Sequence, residues 1–142
     1  MKRILVALDG SDNSPKVLEA AARLAKLADA KLVVFRAVTI TPDLPREAFV
    51  ASDVRLEDAL RSNAHEDLER LGARIDPKLV EQIVVELATP WDGICRAGRK
   101  HDADLIVIGS HGYGGLDRIL GTTAAKVVNH ADRNVLVVRT VL

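Results

Sequence analysis

Hydrophobic positions fall into two alternating patterns along the chain: short uninterrupted runs, and longer stripes spaced three or four residues apart. Ile4 to Leu8 is the first run, closed by the turn-forming cluster Asp9-Gly10-Ser11-Asp12-Asn13. Its lack of polar alternation predicts a strand buried on both faces. Ser14-Pro15 then offers an N-cap and a proline at the first helical position. A stripe through Val17, Leu18, Ala21, Ala22, Leu24, Ala25 and Ala28 follows, predicting an amphipathic helix that ends near Asp29. Lys31 to Val38 reads as a second strand. The resulting β-α-β unit should have a right-handed crossover and parallel strands.

Thr39 to Arg46 contains Pro42 and Pro45 and reads as a loop. From Asp53 to Ala73, a stripe of Val54, Ala59, Leu60, Ala64, Leu68 and Leu71 predicts a helix with a charged, solvated face and Gly72 as terminator. Val80 to Leu87 is a third strand. Thr89 as cap and Pro90 then open a short helix, weakened by Gly93 and Gly98, whose buried face carries Ile94, Cys95 and Ala97 up to Lys100. Ala103 to Ile108 is a fourth strand. Gly121 to His130, with Ala124, Ala125, Val127 and Val128 apolar, is the last helix, and Val135 to Val138 the fifth strand. Alternation of this kind predicts an α/β fold, a three-layer sandwich around a five-stranded, mostly parallel sheet, in one domain over residues 1–142.

Composition narrows the functional classes. The chain has 142 residues, 48% of them hydrophobic, and its 20 Lys+Arg balance 20 Asp+Glu. A neutral balance gives no reason to expect a nucleic-acid or anionic-membrane partner, so any anion must be bound locally. A single cysteine, Cys95, excludes an intrachain disulfide and a multi-cysteine metal site. It reads as a small buried apolar residue. The first apolar run is too short for a signal peptide, and no stretch approaches the roughly 18 apolar residues of a membrane span. A cytoplasmic location is the expectation.

The candidate chemistry lies in one stretch, Leu105 to Ala125. The fourth strand stops at Gly109, and four of the seven residues from Gly109 to Gly115 are glycine. Gly121-Thr122-Thr123 then opens a helix. A strand, a glycine loop and a helix N-terminus together offer free backbone N–H groups and a positive dipole end, which suit a phosphate. Open parallel sheets bind ligands beyond the carboxyl ends of their strands, where the strand order reverses. That point is expected between the first and fourth strands, whose exits Asp9-Gly10-Ser11 and Gly109-Ser110-His111-Gly112 should be neighbours.

At such a cleft Asp9 would meet a base, a ribose or a phosphate-borne cation, or else only close an Asx-turn. Ser110 and the backbone near Gly109 and Gly112 would face ribose or phosphate. Thr122 and Thr123 would donate hydroxyls to phosphate, cap the helix, or do both. Arg118 would neutralise phosphate or face solvent. His111 is an acid or base by type but has no evident partner, and His65, His101 and His130 show no ligand spacing. No Walker-type lysine motif and no strict Gly-x-Gly-x-x-Gly follow the first strand. No catalytic residue and no protein-held metal are assigned.

Three segments carry a resemblance to the universal stress protein family: Ile4 to Ser11, Ala103 to Gly112, and Val135 to Val138. The whole chain is similar to the single-domain, Rossmann-like members of that family. The ATP-binding branch carries Gly-x-x-Gly followed at fixed spacing by Gly-[Ser/Thr]. Here Gly109-Ser110-His111-Gly112 and Gly121-Thr122 match, separated by Tyr113 to Leu120, one residue fewer than the usual spacing. The resemblance implies that Ala7 and Asp9 border an adenosine and that Val38 offers backbone to the adenine. It implies that Gly109 and Gly112 approach ribose and phosphates, and that Gly121, Thr122 and Thr123 hold the phosphates. Mg2+ or Mn2+ would accompany the ATP. It also implies a homodimer through antiparallel pairing of the last strands, whose apolar edge needs a cover. The leading expectation is an ATP-binding regulatory protein of stress response. The alternatives are a slow ATPase and a dimeric stress factor that does not bind ATP.

Overall fold

The apolar runs become strands and the stripes become helices. The computed structural model describes residues 1–39, 53–111 and 119–140. In chain order these form β1 (Arg3–Ala7), α1 (Ser14–Ala28), β2 (Lys31–Val38), α2 (Asp53–Gly72) and a 3-10 turn (Pro77–Leu79). They continue with β3 (Val80–Leu87), α3 (Pro90–Lys100), β4 (Leu105–Gly109), α4 (Thr122–His130) and β5 (Asn134–Val138). The five strands make one sheet in the order β3-β2-β1-β4-β5, and every pairing is parallel. Ile4 stands opposite Leu32 on one side and Leu105 on the other, so β1 is interior to the sheet.

The absence of polar alternation in β1 has a direct cause, because its two faces feed two cores. Ile4 and Val6 join Leu32, Val34 and Val107 beneath Val17, Leu18, Ala21 and Ala25 of α1 and Leu68 of α2. Leu5 joins Val33, Phe35, Ile106 and Ile108 against Ile94, Cys95 and Ala97 of α3 and Ala124 and Val127 of α4. Ile4, Leu5 and Val6 have no exposed surface at all. Burial on both sides makes each of these side chains a core residue, at roughly 1.5–3 kcal/mol apiece.

Several local expectations shift. Helix α1 begins one residue earlier than predicted, with Asn13 as N-cap and Ser14 already helical and buried. The reason is that the Ser14 hydroxyl turns back to Asp9 instead of capping. Thr89 is the N-cap of α3, but its side chain makes no capping hydrogen bond. Ala59, predicted on the apolar stripe of α2, is exposed, and Ala64 and Leu68 carry the buried face. Strand β4 starts at Leu105 because Asp104 makes a junction: its carboxylate accepts the N–H groups of Lys2 (2.7 Å) and Arg3 (2.9 Å). Val128 is 46% exposed and so lies off the buried face of α4.

Glycines 93 and 98, costly in a helix by propensity, have a packing reason. A Cβ on Gly93 would stand 2.9 Å from the Ala88 methyl, and one on Gly98 2.8 Å from Cδ1 of Ile106. They let α3 lie close on the sheet. Among the described residues no helix is long and apolar enough to cross a membrane.

Candidate functional site

Because β1 is flanked by β2 and β4, the connections leaving it and β4 run to opposite faces of the sheet. The gap this opens is the ligand position of doubly wound folds. The exits of β1 and β4 are neighbours, and above them lies a cavity of about 710 Å3. That volume falls in the range of ligand pockets, about 300–1,000 Å3. Its walls include Ala7 and Asp9 from the β1 exit, Val38 from β2, Gly109, Ser110 and His111 from β4, and Gly121, Thr122 and Thr123 from the start of α4. Pro90 and Ile94 of α3 and Ile108 add apolar surface. Gly112 and Arg118, also singled out in the sequence, lie outside the described residues, as do residues 40–46 of the expected proline loop.

Asp9 holds the β1–α1 turn together. Its Oδ1 accepts the Ser11 N–H at 2.9 Å and the Ser14 hydroxyl at 3.3 Å. This is the Asx-turn arrangement, yet the side chain also remains exposed at the cavity wall. The turn continues through Gly10 at φ +79°, a backbone state that a side chain would strain.

The β4 exit is tied on its other side to β5. Ser110 is fully buried, and its Oγ accepts the Thr140 N–H at 3.0 Å and lies 3.2 Å from the Thr140 hydroxyl. The hydroxyl of Ser110, a residue expected to face ribose or phosphate, is thus held by Thr140, while the residue still lines the cavity. Its carbonyl accepts the Gly121 N–H at 2.8 Å, which pins the start of α4 to the end of β4. Gly121 thus caps the helix with its own N–H already engaged, at an ordinary φ of −62°.

Thr122 and Thr123 follow in the first turn of α4, both exposed, and neither side chain caps the helix. The first helical bond runs from Ala125 N–H to the Gly121 carbonyl. The N–H groups of the intervening residues consequently have no intrahelical acceptor and sit at the positive end of the dipole. His111 brings its ring near Gly121, and its Nδ1 is buried without a hydrogen-bond partner among the described residues. At the opposite wall the Val38 carbonyl accepts the Ala88 N–H at 3.1 Å, which leaves one lone pair for another donor.

Among the wall residues that the sequence did not single out, one carries a full positive charge. Arg36, two positions before the end of β2, lines the cavity with a side chain only 20% exposed. It is the one described wall residue bearing a lysine or arginine side chain. The available signal was a cation interrupting the otherwise apolar run Leu32 to Val38. Among the described residues no group of three or more His, Cys, Asp or Glu could hold a metal ion.

Fold and cleft together define a small doubly wound α/β protein whose ligand-sized cavity lies at the reversal of a parallel sheet. The universal stress protein family model matches residues 1–139, and the chain belongs to that family. It is 31% identical to universal stress protein A homolog 1 of Coxiella burnetii (strain RSA 493 / Nine Mile phase I), across 96% of this chain and 95% of that protein. Among solved structures, universal stress protein UspA from Lactobacillus plantarum is 26% identical with a TM-score of 0.78, covering 97% of each chain. A universal stress protein in complex with cAMP is 25% identical with a TM-score of 0.62, covering 98% of this chain and 97% of that one.

Proposed function

We propose that this chain is a nucleotide-binding regulatory protein of stress response, with ATP as its ligand. The observation that carries the reading is the first turn of α4, whose unengaged N–H groups open on a cavity of nucleotide size at the sheet reversal. The cAMP complex of a related protein supports an adenine ligand in the same fold. In this reading the base lies toward Ala7 and Val38, the ribose near Asp9 and Gly109, and the phosphates against Gly112, Thr122 and Thr123. Gly121 serves by letting α4 start close on the β4 exit, since a Cβ there would approach the Ser110 carbonyl to 3.3 Å.

A divalent cation, Mg2+ or Mn2+, enters with the triphosphate, neutralising charge that the chain meets mainly with backbone amides. Of the described residues, Asp9 is the wall carboxylate within the site that would face such an ion. Binding of this kind stabilises one loop or dimer geometry for a partner to read, with no general base required. The dimer would form along β5, whose Leu136 is 41% exposed beside an edge not paired by any described strand.

Mass spectrometry of the small molecules released from protein purified under native conditions tests the ligand. An adenine triphosphate at near-equimolar amount is expected, and ATP with Mg2+ should raise the unfolding midpoint. Protein that retains no adenine nucleotide and gains no stability from ATP and Mg2+ would sink the reading.

A further inference from the structure

Arg36 is held in an unusual way for a cation in the wall of a cavity. Its Nη1 lies 3.5 Å from Oδ2 of Asp67 on α2, an ion pair without a hydrogen bond. The position a Cβ would take on Gly10 is 2.6 Å from Cζ, 2.6 Å from Nη2 and 2.8 Å from Nη1. A point nearly equidistant from those three atoms at such a distance stands off the guanidinium plane, so the group lies flat against Gly10. Stacking leaves the edge of the guanidinium, where its N–H groups point, unblocked by Gly10. A guanidinium has five donors, and Arg36 makes no hydrogen bond with a described residue.

Asp67, by contrast, is doubly served. Its other oxygen pairs with Arg70 one turn along α2. Withdrawal of Arg36 would therefore leave the carboxylate still neutralised. A weakly held donor over a glycine platform, together with a counter-ion that does not need it, describes a cation free to change partners.

We propose that Arg36 is a ligand-contacting residue, passing from Asp67 to a phosphoryl oxygen of the bound nucleotide while Arg70 keeps Asp67 paired. The proposal rests on the nucleotide reading above and adds to it a side-chain contact selective for charge. Arginine suits the role because its planar fork matches phosphate oxygens and stays protonated throughout.

The test compares wild type with Arg36→Gln, Arg36→Lys and Asp67→Asn, reading affinity for ATP with Mg2+ by calorimetry and for adenosine by competition. Arg36→Gln should weaken ATP roughly tenfold or more, as expected for loss of a charge-assisted contact, and leave adenosine within about twofold. It should also flatten the salt dependence of ATP binding. Arg36→Lys should fall between wild type and Arg36→Gln, and Asp67→Asn should bind ATP as tightly as wild type or more so. Far-UV circular dichroism of each variant should match wild type, because the loose ion pair contributes little to folding. Unchanged ATP affinity and salt dependence in Arg36→Gln would overturn the proposal and leave the nucleotide reading standing. Equal weakening of ATP and adenosine would also overturn it, assigning Arg36 to the nucleoside or to the fold. Wild type that binds neither compound overturns both.

Discussion

Gly93 and Ala88 are so close that a methyl group on the first would stand 2.9 Å from the methyl of the second. Ala88 begins the β3–α3 connection and is tied by its N–H bond to the Val38 carbonyl, which resists its withdrawal. Gly93→Ala should therefore destabilise by about 1–3 kcal/mol through overpacking, although alanine is favoured over glycine in a helix by about 1 kcal/mol. Gly72, at the end of α2, has open space where its Cβ would be. Gly72→Ala should stabilise by about 0.4–1 kcal/mol. Urea denaturation of both variants reads the two signs directly, and agreement in sign would refute the packing account.

Gly10 carries two constraints at once, its φ of +79° and the guanidinium of Arg36 laid over it. Gly10→Ala should cost about 1–2 kcal/mol for the left-handed backbone alone, plus the displacement of Arg36. In an Arg36→Gln background only the first part should persist. A double-mutant cycle that gave strictly additive losses would show that the two residues do not touch.

Removing the Ser110 hydroxyl should be costly because the Thr140 N–H would be left buried without its acceptor. Ser110→Ala is expected to destabilise by about 1–3 kcal/mol. Thermal and urea unfolding would check this, and a neutral result would show that the Ser110–Thr140 bond does not support the fold.

Acid should weaken the end of the sheet opposite the cleft. The backbone N–H groups of Lys2 and Arg3 hold Asp104 below its ordinary pKa of 3.8, and the side-chain bond from Arg3 lowers Glu81 below 4.5. A carboxylate with a depressed folded-state pKa contributes stability that is present above its unfolded value and lost as the pH falls through the folded one. Stability should thus decline as the pH drops below about 4, and Asp104→Asn should show a shallower decline. Unfolding midpoints followed from neutral to acidic pH in the two proteins would measure the difference.

Cys95 lies buried on α3, and desolvation pushes its thiol above the ordinary value. Alkylation should be slow in the native protein at mildly alkaline pH and fast in urea. Fast labelling of folded protein would contradict its place in the core.

Much of this architecture is legible along the chain because both faces of the inner strands are buried, so strands appear as plain apolar runs. β2 and β3 have the boundaries that their sequences predict. The order reversal between β1 and β4 is legible as well, from their polar and glycine-rich exits. What the sequence conceals depends on partners distant along the chain. Ser110, expected to face ribose or phosphate, gives no sign in the sequence that Thr140, thirty residues later, engages its hydroxyl. Ser14 looks like a cap until Asp9 takes its Oγ. Arg36 is only one residue of a strand in the sequence until Gly10 and Asp67 are seen beside it. The short 3-10 turn before β3, where Asp76 accepts the Lys78 N–H at 3.0 Å, had too little length to produce a period.

The Ser110–Thr140 link has a mechanical meaning. Ser110 borders the cavity, and Thr140 lies two residues after the end of β5, one of the two edge strands of the sheet. Two hydrogen bonds, at 3.0 and 3.2 Å, thus join the inner chamber to the outer rim. The path from chamber floor to molecular border therefore runs through strand-end contacts and bypasses the helices.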